Sequence, residues 1–144
     1  MTVTRIYIPL NASGLRSLDA DRAIGGAPFL AYAVTAALRA ATPTAGQDEH
    51  EYAALSDAVR SSAALLTSAE RRRIVAAADV MADLVGPAPD GSIDESAVTI
   101  SESIALNWIA SFHIDDDEAD EDDELLWYDV TELPGILVLL SPQT

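Results

Sequence analysis

The chain has 144 residues, 49% of them hydrophobic, so it is long and apolar enough to bury the core of one domain spanning residues 1–144. It contains no cysteine, which excludes disulfides, thiolate metal sites and cysteine nucleophiles; with no secretory signal and no membrane-spanning stretch, we expect a cytoplasmic protein. The formal net charge of −16 disfavours direct binding to nucleic acid and favours encounters with a basic protein partner.

The N-terminal segment predicts a strand followed by a short helix. A two-residue apolar period predicts a half-buried strand over residues 5–9. Ser13 is placed to cap a short helix whose inward face carries Leu15 and Leu18. Gly25-Gly26 then ends this helical segment.

The next part of the chain predicts the longest helix. Residues 29–34 fit a buried strand or the start of a helix; we favour the strand, followed by a helix over residues 35–41. Asp48 and Glu51 have the spacing of a capping box, which predicts a helix over residues 49–66 packed on a sheet. Its predicted buried stripe consists of Tyr52, Leu55, Val59, Ser62 or Ala63, and Leu66.

The second half predicts mainly strands. The apolar run 74–78 predicts a central strand buried on both faces. Three further strands are predicted over residues 97–100, 108–114 and 125–128. Thr131 could cap a final helix with Pro134 in its first turn, although residues 136–140 could instead form a strand or a partner-binding edge. This irregular alternation predicts an α+β fold, a two-layer sandwich with helices on one side of a mixed or antiparallel sheet.

An acidic run occupies residues 115–124, where nine of the ten residues are acids. Unpaired carboxylates are too costly to bury, so we expect the run to remain in water as an exposed segment. A solvated loop is the simplest interpretation, and docking onto an arginine- or lysine-rich partner is the functional one. The candidate partner-binding residues are Asp115, Asp116, Asp117, Glu118, Asp120, Glu121, Asp122, Asp123 and Glu124.

The same run is a weak candidate for a divalent cation. An EF-hand loop needs glycine at position 6 and glutamate at position 12, and the registers that begin at Asp115, Asp116 and Asp120 all fail this test. We therefore predict no dedicated metal site and no cofactor. Weak binding of Mg²⁺ or Ca²⁺ remains an alternative.

Three consecutive arginines, residues 71–73, form the one basic cluster of the sequence. They could line a cleft for a phosphate or carboxylate ligand, with Arg71, Arg73 and Tyr7 as the ligand-binding residues. They could instead bridge to the chain's own acidic run. We favour the bridge because the chain has 24 acids against eight cations.

Neither histidine belongs to a catalytic or metal-binding pattern. Ser111, His113 and Asp115 would share one strand face, where neighbours lie about 7 Å apart at the backbone, too far for a hydrolytic triad. The adjacent acids would favour the protonated form of His113, which makes it a candidate pH sensor. His50 has no second histidine one helical turn away, so we predict a surface residue without a zinc-binding role.

Six short segments, spread over most of the chain, form a recognisable set: residues 5–9 (RIYIP), 33–35 (AVT) with 38–39 (LR), 51–55 (EYAAL), 78–80 (ADV), 111–115 (SFHID) and 124–128 (ELLWY). Together they resemble a family of small, acidic, uncharacterised proteins of actinobacteria. The resemblance implies a compact cytoplasmic domain and, since that family has no assigned activity, no catalytic residue. Residues 135–140 are more apolar than the family's pattern, which leaves the final helix open.

These observations predict a non-enzymatic protein-interaction or regulatory module that uses its acidic segment as a surface. The first alternative is a small anionic-ligand-binding protein or enzyme with an arginine-lined cleft, and the second is a weak divalent-cation binder. Trp108, Trp127 and Tyr128 are interpreted as core and strand residues, with an exposed aromatic interface as the alternative.

Overall fold

The computed structural model describes residues 2–116 and 119–140. Within these ranges the strands are β1 (Val3–Leu10), β2 (Ala23–Ile24), β3 (Phe29–Ala33), β4 (Ile74–Met81), β5 (Val85–Gly86), β6 (Ala97–Ile100), β7 (Ile104–Ala105), β8 (Ile109–Ile114) and β9 (Leu126–Asp129). The helices are α1 (Ala12–Asp21), α2 (Ala36–Ala41), α3 (Gln47–Ala63) and α4 (Leu133–Leu140). Asp117 and Glu118, two of the predicted partner-binding residues, lie outside the described residues.

In the described part of the chain, seven strands form one sheet in the order β5-β6-β3-β1-β4-β8-β9, and each neighbouring pair is antiparallel. The central pair, β1 and β4, is in register from Val3 opposite Met81 to Leu10 opposite Ile74. β2 and β7 pair separately. β5 and β9 are therefore the two edges of the large sheet.

Helices cover both faces of this sheet. Successive strand residues point to opposite faces. Ile6 and Ile8 join one apolar cluster with side chains of α1 and α4, whereas Tyr7 joins a second cluster with Ala54 and Ala58 of α3. The α+β class is confirmed, but the expected placement of all helices on one side is wrong. The central strands are apolar on both faces, so each face needs a cover.

β4 is buried between the helices that cover the two faces of the sheet. Ile74, Val75, Ala76, Ala77 and Ala78 are all fully buried, which confirms the prediction of a central strand without a solvent face. Small alanine side chains on this strand allow α3 to approach closely through its own alanines. None of the helices in the described ranges has the length and apolar character needed to cross a bilayer.

The buried face of α3 differs from the predicted one. Its buried residues are His50, Ala54, Ala58 and Ser62, spaced four residues apart, and only Ser62 was among the predicted alternatives; Tyr52 is 57% exposed. Leu55 and Val59 of the predicted stripe are only partly buried. The helix also begins at Gln47 behind Gly46, which makes no side-chain cap, so the predicted capping box is wrong. Close packing of α3 on the sheet needs small side chains at the contact, so the small-residue face is buried in place of the predicted stripe of larger residues.

The helix termini near the two ends of the chain use other caps than those predicted. Asn11, not Ser13, caps α1 by accepting a hydrogen bond of 2.8 Å from the Gly14 N–H. Residues 133–140 form the predicted final helix, so their alternative reading as a strand is wrong. Asp129 and Glu132 form a capping box just before it, in place of Thr131.

Candidate functional site: the arginine-anchored acidic loop

Asp115, the first residue of the acidic run, is buried with only 6% of its surface exposed. The expectation that the whole run faces water is wrong at this position. Its carboxylate accepts three hydrogen bonds from Arg73: 2.9 Å from the backbone N–H, 2.7 Å from Nε and 2.8 Å from Nη2. This bidentate, charge-assisted contact compensates the hydration that the carboxylate loses.

Arg73 also holds the loop that follows. Its guanidinium donates to the carbonyl oxygens of Asp120 at 3.0 Å, Glu121 at 2.8 Å and Asp123 at 3.0 Å. We call residues 119–124 the acidic loop. The hydrogen bonds to Asp115, opposed by burial, raise the pKa of Arg73 above its usual value, and Asp123 and Glu121 reinforce the shift. Arg73 therefore stays charged, and the favoured bridge between the arginine cluster and the acidic run is confirmed for this residue.

The acidic loop turns its backbone inward and its side chains outward. Asp120 to Glu124 are exposed. Asp123 accepts from the Asp120 N–H at 2.8 Å, and Glu124 accepts from the Tyr52 hydroxyl at 3.1 Å. Asp120, Glu121 and Asp122 form no salt bridge with any described arginine or histidine. Their charges are therefore available to a partner.

A groove of about 1220 Å³ runs between α3, residues 66–73 and the acidic loop. Arg71 lies on its rim and is exposed, whereas Arg73 is buried beneath the loop with its guanidinium already bonded to the chain. Tyr7 lies in the core under α3, where burial raises the pKa of its hydroxyl. Of the predicted ligand-binding residues, Arg71 and Arg73 thus both line this groove, whereas Tyr7 does not. Among the described residues, no group of three or more potential metal ligands is arranged to hold an ion.

Comparison with known proteins places these residues in a family. Residues 4–122 match the model of the family of unknown function DUF6912. The chain belongs to this family. Neither a curated protein nor a solved structure was found to match it. The expected membership of a family without an assigned activity is confirmed, and the matched span of this DUF6912 protein includes both Arg73 and Asp115.

His113 lies on β8 and is partly buried beside Trp127 of β9 in this DUF6912 protein. Burial lowers its pKa, and the positive charge of Arg5 lowers it further. The expectation that neighbouring acids favour the protonated form is wrong. Asp115, the acid on the same strand face, is neutralised by Arg73 instead.

We expect replacement of His113 by glutamine to change the pH dependence of stability. The folded pKa of His113 lies below the unfolded value of about 6.5, so its contribution to stability is present above that pH and is lost as the pH falls through the folded pKa. The variant should therefore gain stability relative to the wild type between about pH 7.5 and pH 5. Urea denaturation at both pH values measures this, and an equal difference at the two pH values would contradict it.

His50 and Ser62 are buried polar residues of α3, and neither was predicted as a hydrogen-bonding residue, although Ser62 was one alternative for the buried stripe. His50, predicted to be a surface residue, lies with Nε2 3.0 Å from the Thr42 carbonyl oxygen and 3.1 Å from its hydroxyl. Ser62 donates to the Leu10 carbonyl oxygen at 2.6 Å and accepts from the Ile74 N–H at 2.9 Å. Their four-residue spacing with Ala54 and Ala58 is the signal that could have identified this face.

Proposed function

We propose that this DUF6912 protein is a non-enzymatic protein-interaction module that binds a basic partner through its acidic loop. The observation that carries this proposal is the anchoring of the loop backbone by Arg73, which leaves the carboxylates of Asp120, Glu121 and Asp122 pointing into solvent. A loop that is already ordered loses less conformational entropy on binding than a free chain does. Anchoring therefore favours a recognition surface over a simple solubilising segment.

The electrostatic and aromatic surroundings support the same proposal. The net charge of −16 speeds encounters with a basic protein and repels phosphate backbones. Tyr52 and Trp127, which are 57% and 61% exposed, flank the acidic loop. Exposed aromatic residues are enriched in protein interfaces, so the alternative reading of Trp127 as a surface residue is supported over its reading as core.

The geometry gives less support to the anionic-ligand alternative. The guanidinium of Arg73 is bonded to Asp115 and to the loop carbonyls. The groove beside Arg71 is also lined by the acids of the loop, which would repel an anion. We further propose a cytoplasmic location and an actinobacterial source, supported by the absence of cysteine and by the use of arginine for all eight cations.

The proposal is tested with fluorescein-labelled decalysine as a basic probe, followed by fluorescence anisotropy at low and high salt. We expect saturable binding that weakens as salt rises, because the contacts are between exposed charges. The triple variant Asp120→Asn, Glu121→Gln, Asp122→Asn should bind at least about fivefold more weakly, since these carboxylates form the proposed contact surface.

A matched triple variant, Asp83→Asn, Asp90→Asn, Glu102→Gln, serves as the control. Both triples remove three acids and therefore change the net charge of −16 by the same amount. The control residues are exposed and lie near β5 and β6, toward the opposite edge of the sheet. Equal weakening by both triples would show that binding follows net charge alone and would reject the acidic loop as the docking surface.

A further inference from the structure

The two edges of the large sheet differ in how they are protected. β5 has two residues, and Pro87 and Pro89, which have no N–H donor, follow it closely. β9 has four residues, Leu126 to Asp129, and contains neither proline nor lysine. Natural proteins usually block exposed edges with such residues, because an open edge pairs readily with another chain. β9 therefore lacks the prolines that protect the β5 edge.

The backbone of β9 presents hydrogen-bonding groups to solvent. The Asp129 N–H bonds the Glu132 side chain at 2.7 Å, so it points away from β8. The N–H and C=O groups of alternate residues point the same way along a strand, so those of Trp127 also point away from β8.

The pairing of β8 with β4 leads independently to the same orientation of the Trp127 backbone. The Asp115 N–H donates to the Arg73 carbonyl oxygen at 3.0 Å, so the backbone of Asp115 faces the β4 side. By alternation, Ile114 and Phe112 face β9, where their register partners are Leu126 and Tyr128. Trp127 is thus the residue whose N–H and C=O remain open at the edge.

The side chains around this edge indicate the chemistry of its occupant. The acidic loop ends one residue before β9, and Asp129 and Glu132 lie at the other end of β9. Leu126 and Trp127 are 45% and 61% exposed on opposite faces of the strand. An occupant with cations at its ends and apolar groups between them matches this pattern. A second copy of the chain does not match it, since each copy carries a net charge of −16.

We propose that β9 accepts an extended lysine- or arginine-bearing peptide segment as an additional strand of the sheet, with the cations of the peptide against the acidic loop. This inference rests on the proposed function and specifies its partner as a basic segment in β-conformation. Main-chain hydrogen bonds to Trp127 supply affinity in this mode, while the acids and the exposed Leu126 and Trp127 side chains supply selectivity.

The test uses a fluorescein-labelled heptapeptide with two lysines at each end and three valines between them, and the same peptide N-methylated at every backbone amide, which keeps its charge but cannot form a strand ladder. We expect the N-methylated peptide to bind the wild-type protein at least about tenfold more weakly. Hydrogen exchange of the Trp127 amide should slow when the unmodified peptide is added.

Two substitutions of Trp127 distinguish the contribution of its backbone to peptide binding from the contribution of its side chain. Trp127→Pro removes the open N–H without touching the pairing with β8, and it should weaken binding of the unmodified peptide about tenfold. Trp127→Thr removes the indole, keeps the N–H and should stay within about threefold of the wild type. The comparison of the two peptides on the wild-type protein stands by itself if the proline variant fails to fold.

The remaining outcomes decide between this inference and the proposed function. Equal binding of both peptides, weakened by the acidic-loop triple variant, would overturn strand addition and leave the interaction function in place. No binding of either peptide or of decalysine at low salt would overturn both. A dimer in sedimentation equilibrium that Trp127→Pro converts to a monomer would show that a second copy occupies the edge, and would also overturn the inference.

Discussion

Replacing Arg73 with methionine is expected to lower the free energy of unfolding by about 3–5 kcal/mol, because it leaves the buried Asp115 carboxylate without its counterion. Both residues are buried, with 8% and 6% of their surfaces exposed, so water cannot replace the lost donors without rearrangement of the structure. Urea denaturation followed by the fluorescence of Trp108 and Trp127 measures the change.

The control is the double variant Arg73→Met, Asp115→Leu. Removal of both charges should cost less than the sum of the two single substitutions, since no unpaired charge is left inside. Additive losses would mean that the two side chains are not coupled and would contradict the pairing. Arg73→Lys tests geometry separately, because a lysine keeps the charge but cannot make the bidentate contact.

The same substitution should also release the acidic loop. Methionine offers no donor to the carbonyl oxygens of Asp120, Glu121 and Asp123, so the loop loses three anchoring hydrogen bonds. A glutamate-specific protease should then cut after Glu121 and Glu124 faster than in the wild type under native conditions. The double variant should be cut equally fast, because it also lacks the anchor; slow cleavage of it would show that the loop is held by other contacts.

Replacing Ser62 with alanine is the second substitution with a large expected effect, and it should lower the free energy of unfolding by about 2–4 kcal/mol. The Ser62 hydroxyl bridges the Leu10 carbonyl oxygen and the Ile74 N–H, two groups at the paired ends of β1 and β4. Ser62 is fully buried, so the variant leaves a donor and an acceptor without partners and without access to water. Thermal and urea denaturation both measure the loss.

Ser61→Ala is the matched control for this prediction. It changes the same residue type one position earlier in α3, where the side chain is only partly buried. It should change the free energy of unfolding by less than about 0.5 kcal/mol. Equal losses from the two substitutions would point to helix propensity and against the bridge between β1 and β4.

The strands near the sheet centre could be predicted because their signals are local. The two-residue period before Leu10 and the apolar run after Arg73 each occupy a few consecutive residues. The face of α3 could not be predicted in this way. Its large apolar stripe and its small-residue stripe are both compatible with a helix, and only contact with Ala77 and Tyr7 on the sheet favours the small one.

The candidate site likewise has one feature that could be predicted from the sequence and one that could not. The run of acids by itself predicts exposure, and this holds for Asp120 to Glu124. The burial of Asp115 depends on Arg73, which is 42 positions away in the sequence. The antiparallel register that places Ile74 opposite Ile114 brings these two residues together. No local pattern carries that register, so one acid of the run could not be distinguished from the others.

The sequence by itself determined the quantities that add up along a chain: net charge, absence of thiols, the α+β class and the position of an acidic surface. Only the tertiary structure decided which acid is buried, which helix face packs on the sheet and which edge strand stays open. Charge and hydrophobic period are properties of neighbouring residues, whereas an ion pair, a packing face and a free strand edge depend on residues that meet only when the strands pair.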